Sequence, residues 1–556
     1  MAEQNPPTDN IHPAIPAAPD IERPPSPLEI AQEPSRRSKH RITGILIALF
    51  LALFITALDQ TITATSIPSI SSSLNSATGY TWIGASYLLA SAASGPIWAR
   101  LSDIWGRKPA LLGAVTVFGV ASILAATSTS MRMLIASRAL QGMAGGGLGQ
   151  LVIITISDLF SIRRRALVFG ALGGVWAVAG SAGPVLGGAL TEKLSWRWCF
   201  WINAPVCGIV LVLLWGLLDV YSPRTGVKEG LWAVDWMGTV TIVAVTVLLL
   251  LGMEFGGTMF AWDSAEVLCL IVFGVVMVGV FIFSEKRVAR YPLISMGLFS
   301  SWMTNAAFIV GFAHGMVSFG VEYYLPLYLQ GVKQASPLRS GMLILPMMVT
   351  EAGTDILVGV LLHRVGRYRE ITWGGVVLMT VGMGLYINLD RRTTVAQIIG
   401  FEVIGGIGTA LLFQTPVIAI QNAVSQAETA SATATLGFIR NLATSFSIVL
   451  GGVVFRHGMD AQQSGLAALG IGGEVLHAVS GDKAAASVGV VGLIEDLGQR
   501  HAVQDAFAWS VRNMFIFYTA VSGIALVAGV FIKQREMSRG HTETKTGVDM
   551  LKKREG

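Results

Sequence analysis

The chain contains 556 residues, of which 53% are hydrophobic and only 13% are charged, against roughly 25% charged residues in soluble domains. This deficit of charge argues against a string of soluble domains, which the length alone would suggest, and favours lipid as the main solvent. The formal charge of +5 is small, so its distribution is more informative than its sum. The three cysteines show neither the pattern of a disulfide framework nor the spacing of metal ligands.

Residues 1–43 are predicted to form a disordered tail. The first 40 residues contain nine of the 20 prolines, together with Ser, Glu and Arg, and no apolar core. Because the tail lacks an early apolar segment, it is not a cleavable signal peptide. The first spanning helix is therefore expected to act as the insertion signal.

Apolar stretches of about 20 residues, the length that a helix needs to cross a hydrocarbon core of ~30 Å, recur along the rest of the chain. We predict fourteen spanning helices at residues 44–66, 81–100, 109–128, 133–157, 166–190, 199–218, 237–255, 266–284, 301–322, 338–361, 372–388, 397–420, 432–455 and 511–533. The even number places both termini on one side of the membrane. Lys and Arg are concentrated in the segments of that side, so the positive-inside rule makes it the cytosol.

The stretch "GPIWARLSDIWGRKPALL" at residues 95–112 places four charges between two apolar runs. Arg107 and Lys108 satisfy the positive-inside rule at a cytosolic turn, and Gly106 permits the turn. Asp103 contributes little to orientation, but it lies four residues before Arg107 and can pair with it or cap exposed amides. Such a charge cluster could latch two halves of the protein in one state and release them in another.

Four segments carry a resemblance to a known family. They are the pattern Gly-x7-Asp-x2-Gly-Arg-Lys formed by Gly95, Asp103, Gly106, Arg107 and Lys108, "LDQTITATSIP" at 58–68, "RALQGMAGGG" at 138–147 and "GSAGPVLGG" at 180–188. They resemble the loop, first-helix, fourth-helix and fifth-helix motifs of the major facilitator superfamily, in its fourteen-spanner drug:proton antiporter branch of fungal-type efflux pumps. The first-helix motif departs from the family, which usually has Asn-Val-Ala where this chain has Ala-Thr-Ser.

The resemblance covers residues 44–533 and implies an all-α membrane protein with two six-helix bundles and two extra helices between them. The expected parts are an N-terminal bundle at 44–218, a linker with the two extra helices at 219–300, a C-terminal bundle at 301–533 with a long amphipathic outer loop at about 456–510, and a cytoplasmic tail at 534–556. An internal repeat supports an arrangement in two halves, since "GVLLHRVGRYRE" at 359–370 has the same Gly-Arg spacing as "ARLSDIWGRKPA". Related halves with a substrate site at their interface are a recurring transporter plan.

Arg138 lies within a predicted span, where a charge costs about 2.5–3.5 kcal/mol on insertion scales, so it should face a wet cavity or an acid. Asp59, in the first span, is the candidate acid for proton binding. Both have structural alternatives: Arg138 as a tether to backbone carbonyls, and Asp59 as a permanent ion-pair partner of Arg138 or of a helix terminus. The resemblance implies that Arg138 takes part in proton coupling, and the pair is predicted to perform it.

The fifth-helix motif combines small residues with a proline. Gly180, Gly183, Gly187 and Gly188 remove side chains where another helix can approach, as in small-xxx-small interfaces. Pro184 removes the hydrogen bond to the carbonyl of Gly180 and kinks the helix. Ordinary close packing explains the glycines in part. The resemblance adds that this antiporter motif is associated with exporters, which favours efflux over uptake.

The later spans contain weaker candidates, namely Glu351, Asp355, Glu402 and His314. Glu351 and Asp355 share one helix face at i and i+4. His314 is more readily explained as a satisfied structural group than as a proton carrier. Glu322 and Glu254 lie near predicted helix ends and are expected to be solvated.

The resemblance places a substrate cavity between the halves, lined chiefly by spans 1, 4, 9 and 12. The candidate lining residues are Gln60, Gln141, Asn305, Phe308, Phe312, Glu402 and Gln414. The set is mostly neutral and aromatic, which suits an amphipathic or weakly polar organic cargo better than a sugar or a phosphate ester.

The predicted function is proton-coupled secondary active export of small organic molecules, such as drugs, toxins or secondary metabolites, by alternating access. No Lys follows a Gly, so the Walker signature is absent, which argues against ATP as the direct driver. The sequence shows no Ser/His/Asp catalytic pattern, no metal-binding motif and no glycine-rich cofactor-binding loop. We therefore expect no enzyme activity, no cofactor and no metal. An importer of siderophores or basic amino acids and a non-transporting membrane sensor remain as alternatives.

The expected partners are the small organic substrate, protons and the lipid bilayer, and no nucleic acid. The protein is predicted to be a monomer in the cell membrane, with both termini cytoplasmic. The vacuolar membrane is the alternative location.

Overall fold

A computed structural model describes residues 38–74, 79–257, 259–540 and 544–555. The predicted disordered tail at 1–43 lies mostly outside these residues. The first helix begins at Lys39, ahead of the predicted residue 44, because a helix can continue past the apolar segment into the polar headgroups.

The described chain contains fourteen helices of fifteen residues or more, and they follow one another in sequence. They are α1 (Lys39–Ser73), α2 (Gly79–Trp105), α3 (Arg107–Ala126), α4 (Met131–Leu159), α5 (Ile162–Lys193), α6 (Asn203–Leu217), α7 (Trp236–Phe255), α8 (Ala265–Phe283), α9 (Trp302–Gly331), α10 (Pro337–Val365), α11 (Tyr368–Tyr386), α12 (Val395–Ala423), α13 (Thr429–Ala468) and α14 (Leu497–Gly529). Short helices occupy Trp198–Trp201, Val227–Ala233, Ser284–Val288, Met296–Ser300, Gly473–Ala478, Gly481–Ala484, Val490–Leu493 and Val548–Glu555.

Twelve helices of the described chain are long and apolar enough to cross a membrane, which agrees with the predicted all-α membrane fold. Among the fourteen long helices, α2 and α11 are the two outside this group. α2 is rich in Ser, Gly and Ala, and α11 has the charged residues Arg369 and Glu370 in its first turn. The count of fourteen spanning helices therefore stays a prediction.

Helix lengths differ most from prediction around the expected outer loop at 456–510. α13 continues to Ala468 and α14 already begins at Leu497, so the connection between them is much shorter and contains three short helices. Hydropathy detects only the apolar part of a helix. The helical hydrogen-bond ladder is satisfied within the segment itself, so it extends past the apolar part into amphipathic sequence.

We call the end of the bundle where α1 starts and α14 stops the tail face, and the opposite end the far face. At the tail face, Arg41 Nε donates to the carbonyl of Leu217 at the end of α6, at 3.0 Å. Tyr368 Oη, at the start of α11, donates to the carbonyl of Lys533 after α14, at 2.9 Å. The positive-inside rule predicts that the tail face is cytosolic.

Glycines allow α2 and α4 to approach each other closely. A Cβ atom added at Gly142 would lie 2.8 Å from the backbone carbon atoms of Tyr87. Gly147 leaves similar room for the ring of Trp98. Small residues have this role in membranes because lipid tails are as apolar as side chains, so close packing rather than a hydrophobic force holds helices together.

Gly142→Ala is expected to destabilise the protein by about 1–3 kcal/mol, because the added methyl group meets backbone rather than a flexible side chain. Gly149→Ala, on the same helix, is the matched control, since its Cβ would have nothing within 4 Å. We expect the control to be neutral or slightly stabilising. Thermal unfolding of the two purified variants measures the difference. Equal melting temperatures would show that α2 and α4 do not pack as closely as described.

α5 and α10 are in contact near the tail face and separate towards the far face. A Cβ at Gly170 would lie 2.9 Å from the carbonyl oxygen of Asp355, and a Cβ at Gly359 would lie 2.7 Å from that of Ala166. Farther along, a cavity of about 200 Å³ lies between the helices, lined by residues that include Ala177 and Ala352. This helix pair is therefore closed at the tail face and open beyond it.

Candidate functional site

A buried ion pair joins α1 and α4. Arg138 Nη1 donates a short hydrogen bond to Asp59 Oδ2. Asp59 is fully buried and Arg138 is 2% exposed. Each ion loses its hydration in such a place, at a cost of several kcal/mol, so each requires the other as a partner.

Three neutral polar side chains complete the surroundings of the Asp59–Arg138 pair. Gln141 Nε2 and Asn203 Nδ2 both donate to Asp59 Oδ1, at 3.1 Å and 2.8 Å. Gln141 Oε1 accepts from Arg138 Nη1 at 3.0 Å. Ser122 Oγ accepts from Gln141 Nε2 and Asn203 Nδ2, at 2.8 Å and 3.3 Å. The network ties α1 to α3, α4 and α6 and satisfies the buried carboxylate.

Arg138 also contacts α2. Its Nε donates to the carbonyl of Ile83 at 3.2 Å, and its guanidinium carbon lies 4.5 Å from the centroid of the Tyr87 ring, a cation–π geometry. Arg138 therefore connects the buried acid of α1 to α2 as well as to α4.

Asn203 and Ser122 are the members of this network that sequence reasoning did not select. Asn203 stands in "WRWCFWINAP", as an amide at the start of an apolar helix. That signal could have identified Asn203. Ser122 has no comparable signal, because Ser is common in membrane helices and usually bonds to its own backbone.

The charged turn between α2 and α3 is a compact ion cluster. Arg107 Nη1 donates to Asp103 Oδ1 at 2.7 Å and to Ser102 Oγ at 2.6 Å. Arg107 Nε donates to Asp158 Oδ2, on α4, at 2.6 Å. The guanidinium is 2% exposed, and Gly106 has φ +97°, which favours glycine. The Asp103–Arg107 pairing that the sequence left open is thus present.

The other residues of the loop pattern support its surroundings. Lys108 Nζ donates to the carbonyl of Trp215 at 2.6 Å. A Cβ at Gly95 would lie 3.1 Å from the side chain of Gln150. Asp103, Gly106, Arg107 and Lys108 therefore lie at the turn between α2 and α3, whereas Gly95 lies about three turns earlier on α2.

The segment after α14 packs against this cluster, although the sequence analysis predicted only a tail. Thr544 Oγ1 donates to Asp158 Oδ1 at 2.6 Å, and the amide of Gly547 donates to the carbonyl of Asp103 at 2.7 Å. Val548 and Leu551 are each 3% exposed. No apolar run marks these residues, so hydropathy could not reveal that they dock.

Hydrogen bonds at the tail face also join the first six helices to the last six. Arg165, at the start of α5, donates to Gln421 Oε1 at 3.2 Å and to Gln426 Oε1 at 2.9 Å. Gln421 Nε2 donates to Ser157 Oγ on α4 at 2.9 Å. The tail face is therefore the closed end of the protein.

The fifth-helix glycines face two different surroundings. Cβ atoms at Gly183 and Gly187 would clash with α1, whereas Gly180 and Gly188 have nothing within 4 Å. Pro184 lies inside α5. Two of the four glycines thus bring α5 against the helix that carries the buried acid, and the other two lie on an open side of α5.

The seven residues predicted to line a cavity have different surroundings. Gln141 belongs to the network around Asp59, and Asn305 Nδ2 donates to the carbonyl of Phe299 at 2.9 Å, at the tail end of α9. Phe308 is 4% exposed and packs in the core. Gln414 is 1% exposed. These four side chains are committed to packing or to other protein groups.

The remaining three candidates differ in exposure. Gln60 and Phe312 are partly exposed. Glu402 is fully buried, and neither of its carboxyl oxygens has a hydrogen-bond partner among the described residues. The prediction that these residues line one cavity stays a prediction.

The weaker acidic candidates meet in the last six helices. Thr409 Oγ1 donates to Glu351 Oε1 at 2.7 Å, and Gln414 Nε2 donates to Asp355 Oδ1 at 3.1 Å. Glu322, expected to be solvated at a helix end, is partly buried close to Glu351. The expectation for Glu322 was wrong because α9 continues to Gly331.

Two other ionisable residues of the spans also lie inside the protein. Glu254, likewise expected in water, is partly buried in the last turn of α7. His314 is 5% exposed, and its Nδ1 has no hydrogen-bond partner among the described residues. The expectation of a satisfied histidine is therefore not met at that nitrogen.

Long apolar helices around a buried Asp–Arg pair, with a second ion cluster at the closed end, define a polytopic membrane protein of the transporter class. A sequence model described as Major Facilitator Superfamily matches residues 49–448. The chain belongs to this family and is a transporter, not an enzyme.

Fungal relatives align with most of the chain. The MFS-type transporter ppz2 of Metarhizium majus is 41% identical over 92% of this chain and 88% of its own length. The efflux pump dotC of Dothistroma septosporum is 40% identical, with coverage of 92% and 88%. The efflux pump FUS6 of Gibberella fujikuroi is 34% identical, with coverage of 76% and 77%.

Two solved structures show the same fold at low sequence identity. The human organic anion transporter MFSD10 superposes with a TM-score of 0.56 at 15% identity, covering 88% of this chain and 99% of that one. The proton:xylose symporter XylE has a TM-score of 0.56 at 13% identity, covering 93% and 99%. At these identities the likeness concerns the fold alone.

Proposed function

We propose that the protein is a proton-coupled secondary transporter that exports small organic molecules by alternating access. The observation that carries the proposal is the Asp59–Arg138 pair, a fully buried acid and base held by donors from several helices. Intramembrane ionisable groups are expensive and mark ion pathways or proton relays. Asp59 is the proposed proton carrier, and Arg138 is its proposed counter-charge.

Proton entry supplies enough free energy for uphill export. One proton moving down 100 mV contributes about 2.3 kcal/mol, and each pH unit adds about 1.4 kcal/mol. Two pH units with that voltage support a gradient of roughly a thousandfold or more for a neutral cargo.

The direction of transport rests on the relatives and on the fifth-helix motif. Relatives at 34–40% identity are named efflux pumps. The glycines and Pro184 of α5, with the motif associated with exporters, support the same direction. Drugs, toxins or secondary metabolites fit the mostly neutral and aromatic set of proposed cavity residues.

Alternating access is supported by the difference between the two ends of the protein. Hydrogen bonds close the tail face, while a cavity separates α5 and α10 beyond it. With the tail face in the cytosol, this arrangement is open to the outside. The loop of Gly95, Asp103, Gly106, Arg107 and Lys108 is the proposed gate, and α1–α6 and α9–α14 are the proposed halves.

The test is transport by the purified protein in sealed liposomes under an imposed pH gradient. A panel of fluorescent organic compounds serves as cargo. We expect uphill export that stops when a protonophore collapses the gradient. The same assay in an Arg138→Ala variant should lose proton-driven flux while the protein still elutes as a single folded species.

Each alternative gives a different result. Flux in the opposite direction under the same gradient would identify an importer, such as one for siderophores or basic amino acids. A folded protein without proton-dependent flux of any compound would favour a sensor. Uphill flux that persists with no proton gradient would exclude proton coupling.

A further inference from the structure

We propose that Asp355 is a second proton-binding residue, whose access to water is controlled by the contact between α5 and α10. The inference rests on the proposed proton-coupled export and deepens it. In that proposal Asp59 and Arg138 alone perform the coupling, within the first six helices, whereas Asp355 belongs to the last six.

The carboxyl group of Asp355 lies directly against the backbone of α5. A Cβ atom at Gly173 would come within 2.8 Å of Asp355 Cβ and would meet its carboxyl oxygen Oδ2 even more closely. Asp355 is 6% exposed. Only a residue without a side chain leaves room for the carboxyl group here, so any separation of α5 from α10 uncovers it.

Asp355 stands at the boundary between the closed and the open part of this helix pair. On the tail side, Gly170 and Gly359 bring the two backbones into contact. On the far side, Ala177 lies one turn beyond Gly173, and Ala352 lies one turn before Asp355. Both alanines line the cavity of about 200 Å³. The cavity is therefore one helical turn from the carboxyl group.

The polar groups around Asp355 do not neutralise it. Gln414 Nε2, from α12, donates to Asp355 Oδ1 at 3.1 Å and to its backbone carbonyl at 2.8 Å. Glu351, one turn away on α10, adds a like charge when ionised. On the α5 side, Gly173 lies against the carboxyl group. One neutral donor and one acidic neighbour leave an ionised carboxyl group poorly stabilised.

Arg440, from α13, is the cation that acts on Asp355, but the structure describes no ion pair between them. Its Nη2 donates to the carbonyls of Leu412 and Phe413, at 3.1 Å and 2.8 Å. The histidine of this cluster, His314, faces Arg440 from α9. The guanidinium is thus held by backbone rather than by the acid, in contrast to Arg138 and Asp59.

These surroundings predict that Asp355 is protonated when α5 and α10 are in contact and ionised when the two helices separate at the tail face. With α5 against α10, Asp355 is buried without an ion-pair partner and keeps its proton, because a buried unpaired carboxylate is too costly. When the helices part at the tail face, water solvates the carboxylate and the proton leaves to that side. After closure, a hydronium ion that enters through the cavity transfers its proton to the carboxylate, which forms the O–H bond again and leaves water. One proton crosses per cycle, from the far face to the tail face.

Infrared spectroscopy of the purified protein in nanodiscs tests the protonation state without transport. We expect a carbonyl absorption of a protonated carboxyl group at neutral pH in the wild type, with part of this absorption lost in Asp355→Asn. An Asp355→Asn spectrum identical to that of the wild type would overturn the inference. Circular dichroism of the same samples verifies that the variant is folded.

A pair of neighbouring glycines tests the role of the helix contact. Gly173→Ala pushes α5 away from an intact Asp355, so the same absorption should be lost at neutral pH and return as the pH falls. Gly174→Ala is the matched control, since its Cβ would meet only Ile356, at 3.9 Å. Its spectrum should equal that of the wild type. An unchanged absorption in Gly173→Ala would overturn the control by α5.

Transport separates this inference from the proposed function. In Asp355→Asn liposomes we expect proton-driven uphill export to fall at least tenfold. Full proton-driven export by this variant would overturn the inference and leave the proposed function intact. Wild-type export that ignores the proton gradient would overturn the proposed function itself, whatever the infrared result.

Discussion

Asp59→Asn is expected to abolish proton-driven export and to destabilise the protein by about 3–5 kcal/mol, the usual cost of removing one partner of a buried ion pair. The substitution leaves the Arg138 guanidinium buried with only neutral partners, Gln141 and the carbonyl of Ile83. An amide also cannot exchange a proton as a carboxyl group does. Thermal unfolding and the pH-gradient assay in liposomes measure the two effects.

The matched control is Asp219→Asn, which removes the same charge from an exposed pair. Asp219 lies 3.4 Å from Arg41, and its side chain is 56% exposed. Such surface pairs contribute about 0–1 kcal/mol, so this variant should behave as the wild type does. If Asp59→Asn kept both its stability and its coupling, Asp59 would be neither the proton carrier nor a necessary partner of Arg138.

Arg107→Ala is expected to open the tail face and to reduce export at least tenfold. The change leaves the buried carboxylates Asp103 and Asp158 close together without their shared cation, at a cost of about 3–5 kcal/mol to the closed state. An Ala430→Cys substitution reports the opening, because Ala430 is 2% exposed and belongs to a buried cluster that includes Ala99 of α2. Its labelling by a maleimide should accelerate in the variant.

Cys269→Ser provides the background for that experiment, since Cys269 is exposed while Cys199 and Cys207 are buried. Arg369→Ala is the control. Arg369 lies in the first turn of α11, just after the loop between α10 and α11, and its pair with Glu370 at 3.0 Å is partly exposed. We expect slow labelling and normal export in this control. Equally slow labelling of Arg107→Ala would mean that the ion cluster does not hold the tail face closed.

Most of the fold was predictable from the sequence because each membrane-spanning helix requires a continuous apolar segment, which hydropathy along the chain detects. An apolar run of about 20 residues has one solution in lipid, a helix that satisfies its own backbone. All fourteen predicted spans accordingly correspond to long helices, from α1 to α14. Segments outside the lipid need no continuous apolar run, so hydropathy did not reveal the ends of α13 and α14 or the packing of residues 544–551.

The candidate site was predictable only in part. The Asp103–Arg107 pairing could be predicted because the residues are four positions apart. The need of Arg138 for a partner could be predicted because a lone charge in an apolar helix is costly. The choice of that partner was left open. Nothing in the sequence states that Arg107 reaches Asp158, or that Asn203 donates to Asp59 across 144 positions.

By itself the sequence determined that this protein is a bundle of membrane helices, that Asp59 and Arg138 lie within apolar segments, and which family motifs it carries. The tertiary structure alone decided which helices touch, and therefore that Asp59 meets Arg138 and that Asp355 lies against Gly173. The physical reason is that lipid tails are as apolar as the side chains, so the hydrophobic effect does not favour burying one helix face over another. Contacts are then chosen by the fit of small residues and by hydrogen bonds between distant segments, which periodicity along one helix does not encode.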